Sequence, residues 1–137
     1  MNNRKQRIST KVIGAFIVFA SISLAANVLA FERRSSNSNS VRVDVVPVQL
    51  SSGKPAKFEI RMTTHSVELS NDMVAVSILK DDQGREYRAS VWKGSPPGGH
   101  HRSGELEFPA MADGAKSVTL YLKNISGVSE RIFEWKF

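Results

Sequence analysis

Between residues 41 and 137 apolar and polar residues alternate with a period of two, and this pattern limits the fold more than any other feature of the chain. VRVDVVPVQL (41–50) puts Val41, Val43 and Val45 on one face, then changes phase so that Val46, Val48 and Leu50 fall in register. Pro47 at the change fits an edge strand or a bulge, because proline cannot donate to a strand ladder. AKFEIRMT sets Phe58, Ile60 and Met62 against Lys57, Glu59 and Arg61. MVAVSIL offers Val74, Val76 and Ile78; REYRASVW offers Tyr87, Ala89 and Val91. GELEFP, KSVTLYL and ERIFEWKF add Leu106 and Phe108, then Val118, Leu120 and Leu122, then Phe133, Trp135 and Phe137. Between them lie SSGKP and DDQG, whose glycines accept the positive φ that tight turns need.

No long stretch of this region has the 3.6-residue period of a helix. Seven short strands at regular turn spacing predict an all-β domain, an Ig-like antiparallel β-sandwich over 41–137. The chain has no cysteine, so the core must hold without a disulfide, and sulfur-ligated zinc and thiolate catalysis are excluded.

The first forty residues have a different composition. Residues 1–11 carry Arg4, Lys5, Arg7 and Lys11 and no acid, which reads as a basic cytoplasmic tail. Residues 12–31 hold no charge, and as a helix would span about 30 Å, the thickness of a bilayer core. The expectation is a transmembrane anchor, with a signal peptide cut after Ala30 as the alternative. Either places the C-terminal domain outside the cytoplasm, anchored or secreted. ERRSSNSNS (32–40) has too few apolar residues to bury and reads as a linker. Of the 19 basic and 13 acidic residues, only 15 basic ones lie beyond residue 11, so the rest of the chain is only +2. That near balance argues against a nucleic-acid surface.

The stretch GSPPGGHHRSG (94–104) concentrates prolines, glycines and two of the three histidines in one loop. If successive strands run opposite ways, the loops near 65–72, 93–103 and 124–129 share a pole. His65, Asp72, His100 and His101 would meet there, at the end that also faces the linker and the membrane. Three histidines and a carboxylate could ligate zinc, copper or nickel, with Met62 and Met73 nearby to favour reduced copper. Against this, His100 and His101 are neighbours, which in an extended chain point to opposite faces. Arg102 would also repel a cation. The plainer reading is a stiff crossover loop. A third reading uses glycine amides, His101 and Arg102 as an anion or carbohydrate nest, with Trp92 as a flat apolar surface.

Other motifs do not stand. SSGK matches Ser-x-x-Lys but sits in a turn beside Pro55 with no companion motif. No phosphate loop, G-x-S-x-G or calcium loop is present. Asn124-Ile-Ser126 is a formal glycosylation sequon. No nucleophile or polarised water can be placed beside a histidine, so an enzyme is not expected.

THSVELSNDM, DDQGREY and WKGSPPGGHHRSGELEF together resemble small secreted or membrane-anchored prokaryotic proteins of unknown function. The likeness covers about residues 63–109 and falls on His65, Ser66, Trp92, Gly94, Gly98, Gly99, His100, His101 and Arg102. In layout the domain is also similar to telokin-like, Ig-like extracellular domains. These resemblances imply a fold and a location outside the cytoplasm, and no activity. The expectation is an extracytoplasmic, membrane-anchored binding domain. Its candidate metal ligands are His65, His100, His101 and Asp72, with Trp92 and Arg102 as ligand-binding residues, and copper or zinc as the ion. The alternative is an envelope interaction module, with a protein or glycan partner, whose GGHHR loop only stabilises the fold.

Overall fold

The structure, a computed structural model, describes residues 30–137. The basic tail and all but the last two residues of the apolar run lie outside the described residues. No described helix is long and apolar enough to cross a membrane.

Alternation produces strands wherever one face can be buried. Nine strands form among the described residues: β1 (Arg34–Ser38), β2 (Val41–Gln49), β3 (Pro55–Thr64), β4 (Ser77–Asp81), β5 (Glu86–Arg88), β6 (Val91–Gly94), β7 (His101–Ala110), β8 (Ser117–Ile125) and β9 (Val128–Lys136). They make two antiparallel sheets, β1-β2-β3-β7-β6 and β5-β4-β8-β9. Their inner faces enclose one core. Phe58 and Ile60 from one sheet and Leu79, Leu120 and Phe133 from the other are all buried. Phe58 meets Phe108 edge-on at 5.8 Å and Trp135 at 5.4 Å, the separations at which ring quadrupoles attract.

The departures from the sequence reading have identifiable causes. The expected linker at 32–40 contains β1, paired along its length with β2. Its turn, Asn39-Ser40, has φ of 48° and 63°, the doubly left-handed form that matches strand twist in a two-residue hairpin. The strand buries almost nothing of its own, so hydrophobicity could not announce it. In β2 the phase change falls later than expected: Pro47 is buried, a bulge lies between Pro47 and Gln49, and Val48 is 55 % exposed. Around 73–76 the apolar residues form a turn rather than a strand. The Asp72 carboxylate accepts from Val74 N and Ala75 N, and the Asp72 carbonyl from Val76 N. The expected strand 85–92 is two, because the chain crosses between sheets at Ala89–Ser90. Val91 consequently pairs with Glu107 and turns outward, while Trp92, opposite buried Leu106, turns inward.

β5 and β6 run in the same direction, so the crossing does not reverse the chain. The loops therefore alternate between two ends as the sequence reading assumed. One end, the proximal pole, receives the chain at Ala30 and carries 50–54, 82–85, 110–116 and the C-terminus. The other, the distal pole, carries the 39–40 turn, 65–76, 95–100 and 126–127. β1 adds one reversal that the sequence reading lacked, so the histidine loop lies at the pole away from the chain's entry, not beside it.

Candidate functional site

The distal pole is built from backbone-to-backbone closures. Thr64 N donates to His100 O (3.0 Å), Leu69 N to Gly99 O (2.9 Å), and Gly98 N to Leu69 O (2.8 Å). The last two bonds exchange between 69 and 98–99, which the glycines permit by taking φ of 115° and 73°. The loops 65–72 and 95–100 thus close on each other, as their shared pole requires.

Arg102 locks this arrangement. It is the inward residue at the distal end of β7 and is 2 % exposed. Its guanidinium donates to Leu69 O (3.0 Å), Asn71 O (2.7 Å) and Ser95 O (3.3 Å), carbonyls from both loops. Trp92 lies alongside, its ring centroid 5.7 Å from the guanidinium, and its Nε1 also donates to Ser95 O (2.9 Å). The indole packs against Gly94 and Gly104, paired across β6 and β7; a Cβ on Gly104 would lie 2.8 Å from Trp92 Cζ2. Burial draws the Arg102 guanidinium below its ordinary pKa, with Asp72 partly opposing that shift. Arg102 and Trp92 were expected to face a ligand. They face the protein interior instead: main-chain carbonyls accept from Arg102 Nη1 and Nη2 and from Trp92 Nε1, while Arg102 Nε is buried without a partner among the described residues.

The metal set does not assemble. Among the described residues no group of three or more His, Cys, Asp or Glu side chains is placed to hold an ion. His65, His100 and His101 share the pole, but each is exposed and none of their rings makes a hydrogen bond among the described residues. The Asp72 carboxylate instead caps the 73–76 turn, accepting from Val74 N and Ala75 N.

Two polar centres escaped the sequence reading. Arg131 on β9 is buried and donates to Ser36 Oγ, Ser38 O, Val41 O and Ile125 O, tying the 39–40 turn to the end of β8. Asn39 Nδ2 and Ser126 Oγ complete that junction, each bonding the other residue's carbonyl. At the proximal pole the Asp81 carboxylate, with a fully buried side chain, accepts from Gln83 N, Arg85 N, Arg85 Nε and Tyr87 OH. An arginine in an alternating strand resembles any outward charge in sequence; only its phase, in register with Phe133 and Trp135, marks Arg131 as inward.

Searches against family models, curated proteins and solved structures found no match to the chain. The site's meaning therefore rests on its geometry.

Proposed function

We propose that this is a non-enzymatic Ig-like module held outside the cytoplasm, which presents its distal pole to an envelope protein or glycan. The strand order supports the Ig-like part: β2-β3-β7-β6 facing β5-β4-β8-β9 follows the A-B-E-D and C′-C-F-G pattern of such sandwiches. The observation that carries the functional reading is the polarity of the fold. The chain enters at one pole, and the opposite pole is a set of loops fastened by Arg102 and Arg131 from within, leaving His65, His100 and His101 exposed on its surface. A rigid, outward-facing loop cluster reduces the ordering cost of binding. Metal or copper handling has no support from the donor geometry, and the GGHHR loop is held by main-chain bonds and Arg102 rather than by its imidazoles.

The absence of native cysteine makes a direct test clean. His100→Cys in the full chain should react with a membrane-impermeant maleimide on intact cells, with any outer barrier made permeable first. Labelling only after the inner membrane is lysed would overturn the reading.

A further inference from the structure

The outer face of the five-stranded sheet carries a second feature, where the end of the 94–104 motif runs into β7 beside β3. Strand alternation and register place Arg61 and Thr63 of β3 beside Ser103 and His101 of β7, all pointing away from the core. Together with Met62 and Arg102 they line an open depression of about 380 Å³ near the distal pole. Its lining contains no carboxylate.

The charges around it are distributed unevenly. On the same face Arg42 reaches Asp44 at 3.0 Å, Lys57 reaches Glu107 at 3.4 Å, and Lys93 reaches Glu107 at 2.5 Å. Arg61 reaches no carboxylate within ion-pair distance among the described residues. Asp44 stands opposite it in register, but its oxygens are taken by Arg42 and by Ser35 Oγ. The side chains of Arg61, Thr63, His101 and Ser103 likewise donate no hydrogen bond among the described residues. The neighbouring smaller hollow sets Arg33 and Arg61 against Asp44 and Glu59, so its charges balance and the positive potential of the carboxylate-free depression comes from Arg61 itself.

We propose that this depression binds an oxyanion, a phosphate, sulfate or carboxylate group, with Arg61 as its main ligand. A guanidinium fork matches two oxygens of such a group, and the hydroxyls of Thr63 and Ser103 supply neutral donors to the remainder. A flat sheet face gives a shallow site, suited to one charged group of a larger molecule or to a free ion. The inference deepens the proposed reading by naming a ligand class for the presented end, and it rests on that reading only for where the ligand is met.

The test is a titration of the full chain in detergent micelles with inorganic phosphate, monitored by backbone amide shifts. Saturable shifts are expected at Thr63, His101 and Ser103. Affinity should fall about tenfold or more in Arg61→Gln, the loss expected for one charge-assisted pair. Arg88→Gln, on the other sheet, removes the same charge and should leave the affinity unchanged. Thr63→Val provides a second, smaller perturbation within the site. Non-saturable shifts, or equal losses in Arg61→Gln and Arg88→Gln, would overturn the site and indicate bulk electrostatics only. Polyphosphate in place of phosphate distinguishes the source. Tighter binding per phosphate group assigns a polymer-borne ligand, and equal binding assigns the free ion. Failure of this titration leaves the maleimide result standing, so the two proposals fail separately.

Discussion

Arg102 shows at the scale of one residue how a surface motif becomes an interior one. A guanidinium buried with no carboxylate within ion-pair distance among the described residues is retained because three carbonyls accept from it, and removing it leaves those acceptors unpaired. Arg102→Leu is expected to cost about 2–4 kcal/mol, read as a lower thermal midpoint together with faster amide exchange at Leu69 and Gly98. The triple variant His65→Ala, His100→Ala, His101→Ala should change stability by less than about 1 kcal/mol, since exposed side chains without partners contribute little. Equal losses in the two proteins would contradict this division of labour. Asp81 gives the pH dependence. Burial alone would raise its pKa, but the bonds from Arg85, Tyr87 and Gln83 outweigh burial and hold the carboxyl below its ordinary 3.8. Its folded-state pKa is thus lower than its unfolded one, so its contribution is present above pH 3.8 and is lost as pH falls below it. Urea midpoints measured down through this range should fall less steeply in Asp81→Asn than in the wild type, from a lower starting value. Parallel slopes would remove Asp81 from the acid response.

At the scale of elements, the strand edges explain features that hydrophobicity does not. β5 has three residues and β6 four, too short to recruit a neighbouring chain. The longer edge strand β9 is covered near its end, where Arg34 Nε donates to Glu134 O (3.2 Å) and Trp135 Nε1 donates to Glu32 O (2.7 Å). β1 thus closes the corner between the sheets while contributing only polar residues. Its Asn39-Ser40 turn controls that closure. Asn39→Val would force a β-branched residue to φ near 48° and remove the bond to Ser126 O. A loss of about 1–3 kcal/mol is expected in denaturant unfolding, with amide protection lost first along β1. Unchanged protection in β1 would show that side-chain bridges, not the turn, hold the strand. The period-two signal identified the interior-lining strands because each buries a full face. It missed β1, which buries almost none. It misread 73–76, where the Asp72 cap outcompetes strand pairing for the same backbone groups.

At the scale of the whole molecule, one strand changed the direction of everything else. Loop alternation derived from sequence correctly joined 65–72 with 95–100, because the sheet crossing at Ala89–Ser90 does not reverse the chain. The uncounted β1 moved the chain's entry to the other pole. The metal reading finds no support at this scale, since residues that share a pole form no group of three or more potential ligands among the described residues. Titration of the full chain with zinc or copper should therefore show no stoichiometric site. Micromolar or tighter one-to-one binding that disappears in the triple histidine variant would restore the metal reading.

That residues 41–137 form an all-β, two-faced structure, and which side chains fill most of its core, could be read from the order of residues alone. Burial is a local demand repeated every second residue, and it is written in composition and period. The placement of the polar groups came from the assembled fold. Arg102 and Arg131 are inward because their strands carry them past the end of the apolar core, where free carbonyls converge. Arg61 is left unpaired because Asp44, its cross-strand neighbour in register, is held by Arg42 from the same strand. Those outcomes depend on strand order, register and loop closure across distant segments, and no short window of sequence contains them.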